Sequence, residues 1–164
     1  MRENIDSIYN DYFHDIYRFL LSLCHDHHTA EDLVQETFFR AHLFVENYEG
    51  ENIKTWLFTV AHHAFIDHYR KHKRMIVKEK NFFMQYFDKR KDPEELYVVQ
   101  EEIHAVIHML SGLSEKQRYA VLLHDFHELS YKEAAQVMNV PVTHFKVLLF
   151  RGRQAIRKAG ENER

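Results

Sequence analysis

Leu129-Ser130-Tyr131-Lys132-Glu133-Ala134-Ala135-Gln136-Val137-Met138-Asn139-Val140-Pro141-Val142-Thr143-His144-Phe145-Lys146-Val147 is the stretch that decides the fold. Ser130 with Glu133 three residues on is a capping box, and it opens a helix over residues 131–138. Asn139-Val140-Pro141 is a tight turn. A last helix follows from about residue 141 to 158. A short capped helix, a short turn and a longer basic helix make a helix-turn-helix. Ala134 and Ala135 are small enough for the second helix to cross closely. That helix then offers its N-terminal half to a major groove. Thr143, His144, Lys146 and Val147 point outward for the bases, with Arg151, Arg153 and Arg157 placed for phosphates. The plainer alternative is a helical hairpin whose basic end is merely solvated.

Towards the N-terminus the helical punctuation continues. Ser114 with Gln117 is a second capping box, for a helix reaching about His124. Ser111-Gly112-Leu113 stops the helix before it, whose apolar stripe is Leu96, Val99, Ile103, Val106, Ile107 and Leu110. Asp92-Pro93-Glu94-Glu95 starts that helix, with Pro at the first position and acids in the first turn. Residues 75–91 lose periodicity and read as a basic linker. Before it lie three longer helices. The first, about 4–24, carries Ile5, Ile8, Tyr9, Tyr12, Phe13, Ile16, Phe19, Leu20 and Leu23. Thr29 is the expected cap of the second, whose stripe is Leu33, Val34, Thr37, Phe38, Ala41, Phe44 and Val45. The third turns Trp56, Leu57, Val60, Ala61, Ala64, Phe65 and His68 inward, and ends in Arg70-Lys71-His72-Lys73-Arg74. The expected fold is all-α: two small helical domains, 1–74 and 92–164, joined by the linker 75–91, the C-terminal one a helix-turn-helix.

Composition agrees. Of 164 residues, 45% are apolar and 29% charged, with only 4 Gly and 2 Pro, too few turn formers for an all-β protein. No apolar run approaches the roughly 20 residues of a membrane span, and no signal-peptide core stands at the N-terminus. The single Cys24 excludes an internal disulfide and any multi-cysteine zinc site. The expectation is a cytoplasmic protein without membrane insertion.

Net charge is −3, but it is unevenly spread. Residues 1–66 hold 4 Lys/Arg against 11 Asp/Glu, and residues 70–91 hold 9 against 2. Residues 92–143 hold 3 against 9, and the remainder 6 against 2. The local field, rather than the sum, decides where a polyanion sits. The first basic block ends the Trp56 helix, behind a loop holding Tyr48 and Asn52. Aromatics and amides beside a cationic track suit unpaired bases, although Trp56 and Phe65 also suit a core. The 14 histidines include i,i+4 pairs, His68 with His72 and His104 with His108. A metal needs further ligands, and no His-Glu-x-x-His is present, so no metal and no cofactor are expected. No nucleophile elbow, P-loop or dinucleotide fingerprint appears either, and an enzyme is not expected.

Ala30-Glu31-Asp32-Leu33-Val34-Gln35-Glu36-Thr37-Phe38-Phe39-Arg40-Ala41 resembles the core-binding signature of bacterial group IV, or extracytoplasmic-function, sigma factors. Trp56-Leu57-Phe58 with Ala61, Asp67, Tyr69, Arg70 and Arg74 resembles the helix those proteins use on the −10 promoter element. The helix-turn-helix with Val140-Pro141-Val142 and Phe145-Lys146 resembles their −35 reader. The resemblance covers nearly the whole chain, in the right order.

It implies an RNA polymerase subunit that selects promoters for stress or envelope-response genes, the polymerase performing the chemistry. Asp32, Gln35, Glu36 and Arg40 match the face that docks on the clamp helices of the β′ subunit, and Glu36 is expected on an open helix surface. The β subunit is a further expected contact. Asn47 to Lys54, with Asn47, Tyr48, Asn52 and Lys54 as the polar and aromatic members, match the loop that captures a flipped base of the single-stranded −10 element. His62, His63, Asp67, Arg70, Lys71 and Arg74 lie on the adjoining helix. Thr143, His144, Lys146, Val147, Arg151 and Arg153 match the recognition helix on the −35 duplex. An anti-sigma protein is a partner usual in the family.

The chain departs from the family pattern at His63, where Asn is frequent. It departs again at Val147-Leu148, where many members place Ser-Arg, and at Phe150, where His is common. Fewer polar base contacts leave shape and phosphates a larger share of −35 reading. Two other classes compete: a freestanding helix-turn-helix repressor or activator, and a metal or haem sensor built on the histidines.

Overall fold

The computed structural model describes residues 4–45, 48, 50, 52–71 and 93–162, and every regular element among them is helical. The chain divides into two units, Met1–Ile103 and His104–Arg164. The linker 75–91, Asn47, His72, Arg74 and the side chain of Lys71 lie outside the described residues.

In the first unit α1 spans Ile5–Cys24, α2 His27–Phe44 and α3 Ile53–Lys71. Asn4 caps α1 by accepting from the Ser7 amide at 2.9 Å. His25 ends it in the left-handed region, φ 60°, where its N–H reaches the Leu21 carbonyl. The cap of α2 is Asp26, not Thr29: its carboxylate accepts from the Thr29 amide at 2.9 Å and from the Thr29 hydroxyl at 2.6 Å. An ionised carboxylate is the stronger acceptor, so the helix starts ahead of the threonine, at His27. Those two bonds hold the Asp26 carboxyl below the usual carboxylate range.

The three helices pack on one another. Tyr9 meets Phe38 edge-on at 4.9 Å, and Phe19 meets Phe58 at 5.0 Å. Contact with two neighbours widens the buried arc of α3 beyond a single stripe, and Phe58 is fully covered. His68, expected inward, is exposed together with Tyr69 and Arg70 in the last turn of α3. Phe44, also expected inward, is exposed at the end of α2.

α4 runs from Pro93 to Leu110, opening on proline as expected, and its His104 to Leu110 stretch belongs to the second unit. There α5 is Glu115–Val121, α6 Tyr131–Met138 and α7 Val142–Asn162. Both capping boxes form, Ser114 with Gln117 and Ser130 with Glu133. Beyond α5 the chain widens into a π-helical turn, Leu122–Phe126, that keeps Leu122 and Leu123 buried. Asn139 caps α6 at φ 56°, ψ 48°, a left-handed conformation that asparagine tolerates. Leu110, Leu113, Tyr119, Val121, Leu123, Ala134, Val137, Phe145 and Leu149 form the core. α7 crosses α5 closely at Gly152, where an added Cβ would lie 2.9 Å from Val121 Cγ2.

Candidate nucleic-acid interface

α2 carries the first group of candidates. Asp32 is exposed, but Gln35 and Glu36 are only 3% and 8% exposed. The expectation of an open surface at Glu36 is corrected here. α2 packs against α1 on one side and α3 on the other, so even its polar row is covered. Arg40 Nε donates to Glu36 Oε1 at 2.7 Å, and Arg40 Nη2 lies 3.0 Å from Asp67 Oδ2 on α3. Glu36, Arg40 and Asp67 therefore form one ion-pair chain that ties α2 to α3. Asp67, expected on the DNA-facing side, is engaged by Arg40.

Tyr48 stands ahead of α3. Its ring stacks on Trp56 with centroids 4.7 Å apart and planes 21° apart. Its hydroxyl donates to the Asn52 carbonyl at 2.9 Å. A side chain at Gly50 would run into the far end of the Tyr48 side chain, which would have to swing aside to admit it. Asn52 accepts from the Thr55 amide at 3.0 Å and caps α3. Tyr48 is half-buried, Asn52 exposed and Lys54 half-buried. On α3, His63 and Arg70 are exposed, whereas His62 is 8% exposed and faces the core. A residue one step from His63 turns by about 100°, which carries His62 to the packed side.

α7 carries the third group. Thr143, His144, Lys146, Val147, Arg151 and Arg153 are all exposed, as the helix-turn-helix reading required. Lys146 Nζ stands 5.8 Å from the centroid of the Tyr131 ring on α6. Arg153 makes a two-pronged pair with Asp125 of the π-helical turn, at 3.1 and 2.5 Å. That pairing has no local sequence signal, since 28 residues separate the partners. Among the described residues no group of three or more His, Cys, Asp or Glu could hold a metal. His104 and His108 are exposed. Cys24 gives its thiol hydrogen to the Asp26 carbonyl, and burial pushes its pKa up to about 11, which keeps it an unreactive thiol at neutral pH. No helix among the described residues is long and apolar enough to cross a membrane.

A helix-turn-helix whose second helix exposes Lys146, Arg151 and Arg153 has the build of a DNA-binding unit. Comparison with known proteins narrows it. Residues 8–75 match the family model described as Sigma-70 region 2, and residues 103–156 that described as Sigma-70, region 4. The extracytoplasmic-function sigma factor SigM of Bacillus subtilis (strain 168) is 40% identical over 154 residues, covering 93% of this chain and 93% of SigM. The sigma factor YlaC of the same organism is 29% identical, over 96% of this chain and 92% of YlaC. Among solved structures, the sigma factor RpoE of Bartonella quintana in complex with the anti-sigma factor NepR superposes with a TM-score of 0.67. It covers 94% of this chain and 97% of that one at 24% identity, a likeness of fold.

The chain belongs to the extracytoplasmic-function sigma factors. It is a promoter-specificity subunit that binds core RNA polymerase and promoter DNA and promotes transcription initiation.

Proposed function

We propose that residues 1–74 dock on core polymerase and read the −10 element, that 75–91 link, and that 92–164 read the −35 element. Asp32, Gln35, Glu36 and Arg40 meet the β′ clamp helices, with the β subunit as a further contact. Asn47, Tyr48, Asn52, Lys54, His63, Arg70, Lys71 and Arg74 hold the displaced −10 strand. His62 and Asp67 support them from within the unit. Thr143, His144, Lys146, Val147, Arg151 and Arg153 lie on the −35 duplex. The protein works in the cytoplasm, has no catalytic step of its own, and serves stress or envelope-response promoters. The solved complex of RpoE with NepR supports an anti-sigma partner for this chain too.

One observation carries the assignment of surfaces: the α7 residues that resemble a recognition helix are all exposed, while Phe145, Leu148, Leu149 and Gly152 of the same helix are buried. The test adds purified chain to core polymerase. Transcripts should start at discrete promoters, and Lys146→Ala and Arg151→Ala should each weaken the promoters that depend on a −35 element. A phosphate contact would lower the salt slope by about one. Footprinting of duplex DNA by the chain alone, with no effect on polymerase, would favour the freestanding repressor.

A further inference from the structure

A carboxylate beside a helix meant for a polyanion repels that partner, and is tolerated only where it does something else. Asp125 is such a group. It lies in the π-helical turn Leu122–Phe126, outside both helices of the helix-turn-helix, yet it grips Arg153 of α7. Its Oδ2 accepts from Arg153 Nε at 3.1 Å and its Oδ1 from Nη2 at 2.5 Å, so both oxygens are turned to the guanidinium. That hydrogen bonding pushes the Arg153 pKa above its ordinary value, and Tyr131 of α6 acts in the same direction.

A guanidinium carries five N–H groups in a fixed fork. Asp125 takes the Nε hydrogen and one of those on Nη2. The two on Nη1 and the second on Nη2 remain on the far edge, a pair of parallel donors of the shape that fits a phosphate. Arg153 keeps 43% of its side chain exposed against 29% for Asp125, so the arginine is the outer member of the pair. Seven residues separate Lys146 from Arg153, which puts both cations on one row of α7. The Tyr131 ring supports Lys146 from α6, 5.8 Å from its Nζ, as Asp125 supports Arg153 from the turn.

The segment that carries Asp125 is itself fastened. The Leu129 N–H reaches the Leu123 carbonyl at 3.0 Å, and His124 Nδ1 donates to the Leu129 carbonyl at 2.8 Å. Glu128 is held at φ 63°, a left-handed backbone that a non-glycine residue adopts only where its surroundings impose it. An arginine head anchored to such a platform loses less freedom on meeting its target than one that swings in water. We propose that Asp125 is a positioning residue for DNA binding: it fixes the Arg153 guanidinium so that the free edge meets a phosphate of the −35 duplex. This rests on the placement of α7 on the −35 element, and adds a residue that lies on neither helix of the motif. The Asp125 charge is balanced within the pair, so the gain in order outweighs its repulsion of the phosphate.

The test uses holoenzyme assembled from the full chain and core polymerase, on a promoter that depends on its −35 element. Binding is measured over a range of salt concentrations, with the melting midpoint of each free variant alongside. Arg153→Ala should weaken binding and lower the salt slope by about one. Asp125→Ala and Asp125→Asn should each weaken binding about fivefold, the cost of immobilising one long side chain. Their salt slope should stay at the wild-type value, because the phosphate contact itself survives. Adding Asp125→Ala to Arg153→Ala should bring no further loss. Exchanging the pair, Asp125→Arg with Arg153→Asp, keeps an ion pair but moves the cation off α7. That variant should bind no better than Arg153→Ala.

Tighter binding by the Asp125 variants would overturn the inference, since the carboxylate would then be holding Arg153 away from DNA. Full binding by the exchanged pair would overturn it too, by showing a strut between the turn and α7. Unchanged affinity and slope in Arg153→Ala, with Lys146→Ala still weakening the promoter, would remove the inference and leave the placement of α7 standing. Wild-type binding that ignores the −35 sequence would remove both. Where Asp125→Ala lowers the melting midpoint, Asp125→Asn, of nearly equal volume, carries the comparison. A binding loss that follows the melting midpoint in both variants is structural, and the inference falls.

Discussion

Glu36 answers to two demands at once, because its carboxylate faces Arg40 within the unit and belongs to the row proposed to meet polymerase. Oε1 accepts from Arg40, while Oε2 is buried without a hydrogen-bond partner among the described residues. Glu36→Gln keeps the shape and removes the charge that holds Arg40. We expect it to destabilise the first unit by about 1–3 kcal/mol in urea unfolding. Combining it with Arg40→Ala should cost less than the sum of the two, since both remove one pair. Asp32→Asn, on an exposed position of the same helix, should leave unfolding unchanged. A Glu36→Gln midpoint equal to wild type would mean that the ion-pair chain contributes nothing. Half of this chain was legible in the sequence, because Glu36 and Arg40 stand at i,i+4. The link to Asp67 was not, because it depends on how α2 and α3 lie together. For that reason Asp67 reads from the sequence as a DNA-side residue and in the structure as an interhelical one.

Helices announce themselves through their ends. Ser114 with Gln117 and Ser130 with Glu133 were readable as capping boxes because the motif is local and reciprocal. The start of α2 is disguised in the sequence, because Asp26 lies among histidines and Thr29 completes a familiar spacing. The π-helical turn had no signal, since it is a response to packing. Gly152 has no signal of its own either: a glycine inside a helix carries no meaning until the neighbouring helix is in place. In the structure it is where α7 meets α5. Alanine there would gain about 1 kcal/mol of helix propensity. Yet its Cβ would press on Val121, a stiff β-branched side chain. We expect crowding to win, Gly152→Ala lowering the stability of the second unit by about 1–3 kcal/mol. Val121→Ala in the same chain should recover part of the loss. Gly160→Ala, with nothing within 4 Å of its added Cβ, should act the other way and stabilise. Stabilisation by both alanines would show that the crossing is loose.

For the whole molecule, the sequence points to two helical units because periodicity stops at residue 75 and a helix start stands at Asp92-Pro93, whereas the structure divides the chain between Ile103 and His104, inside α4, where no local signal marks a boundary. Between them, Phe82, Phe83, Met84, Tyr86 and Phe87 sit among Lys78, Lys80, Lys89, Arg90 and Lys91. A plain solvated tether would not hold five large apolar residues. The cores described above draw on α1, α2 and α3 in one unit and on the segments from Leu110 to Gly152 in the other. The apolar stripes read from the sequence for these helices do not include this cluster. Replacing all five residues by serine should therefore leave the melting midpoint and the helical signal of the free chain unchanged. The same variant should bind core polymerase, or an anti-sigma partner, more weakly, because the cluster's apolar surface would then be buried only in the complex. Each linker residue spans at most about 3.3–3.6 Å, so the 17 residues reach roughly 60 Å. Serine keeps that reach, and any lost affinity reports the missing side chains rather than a shortened tether. A cooperative loss of helicity in the free variant would instead place the cluster inside one of the two cores.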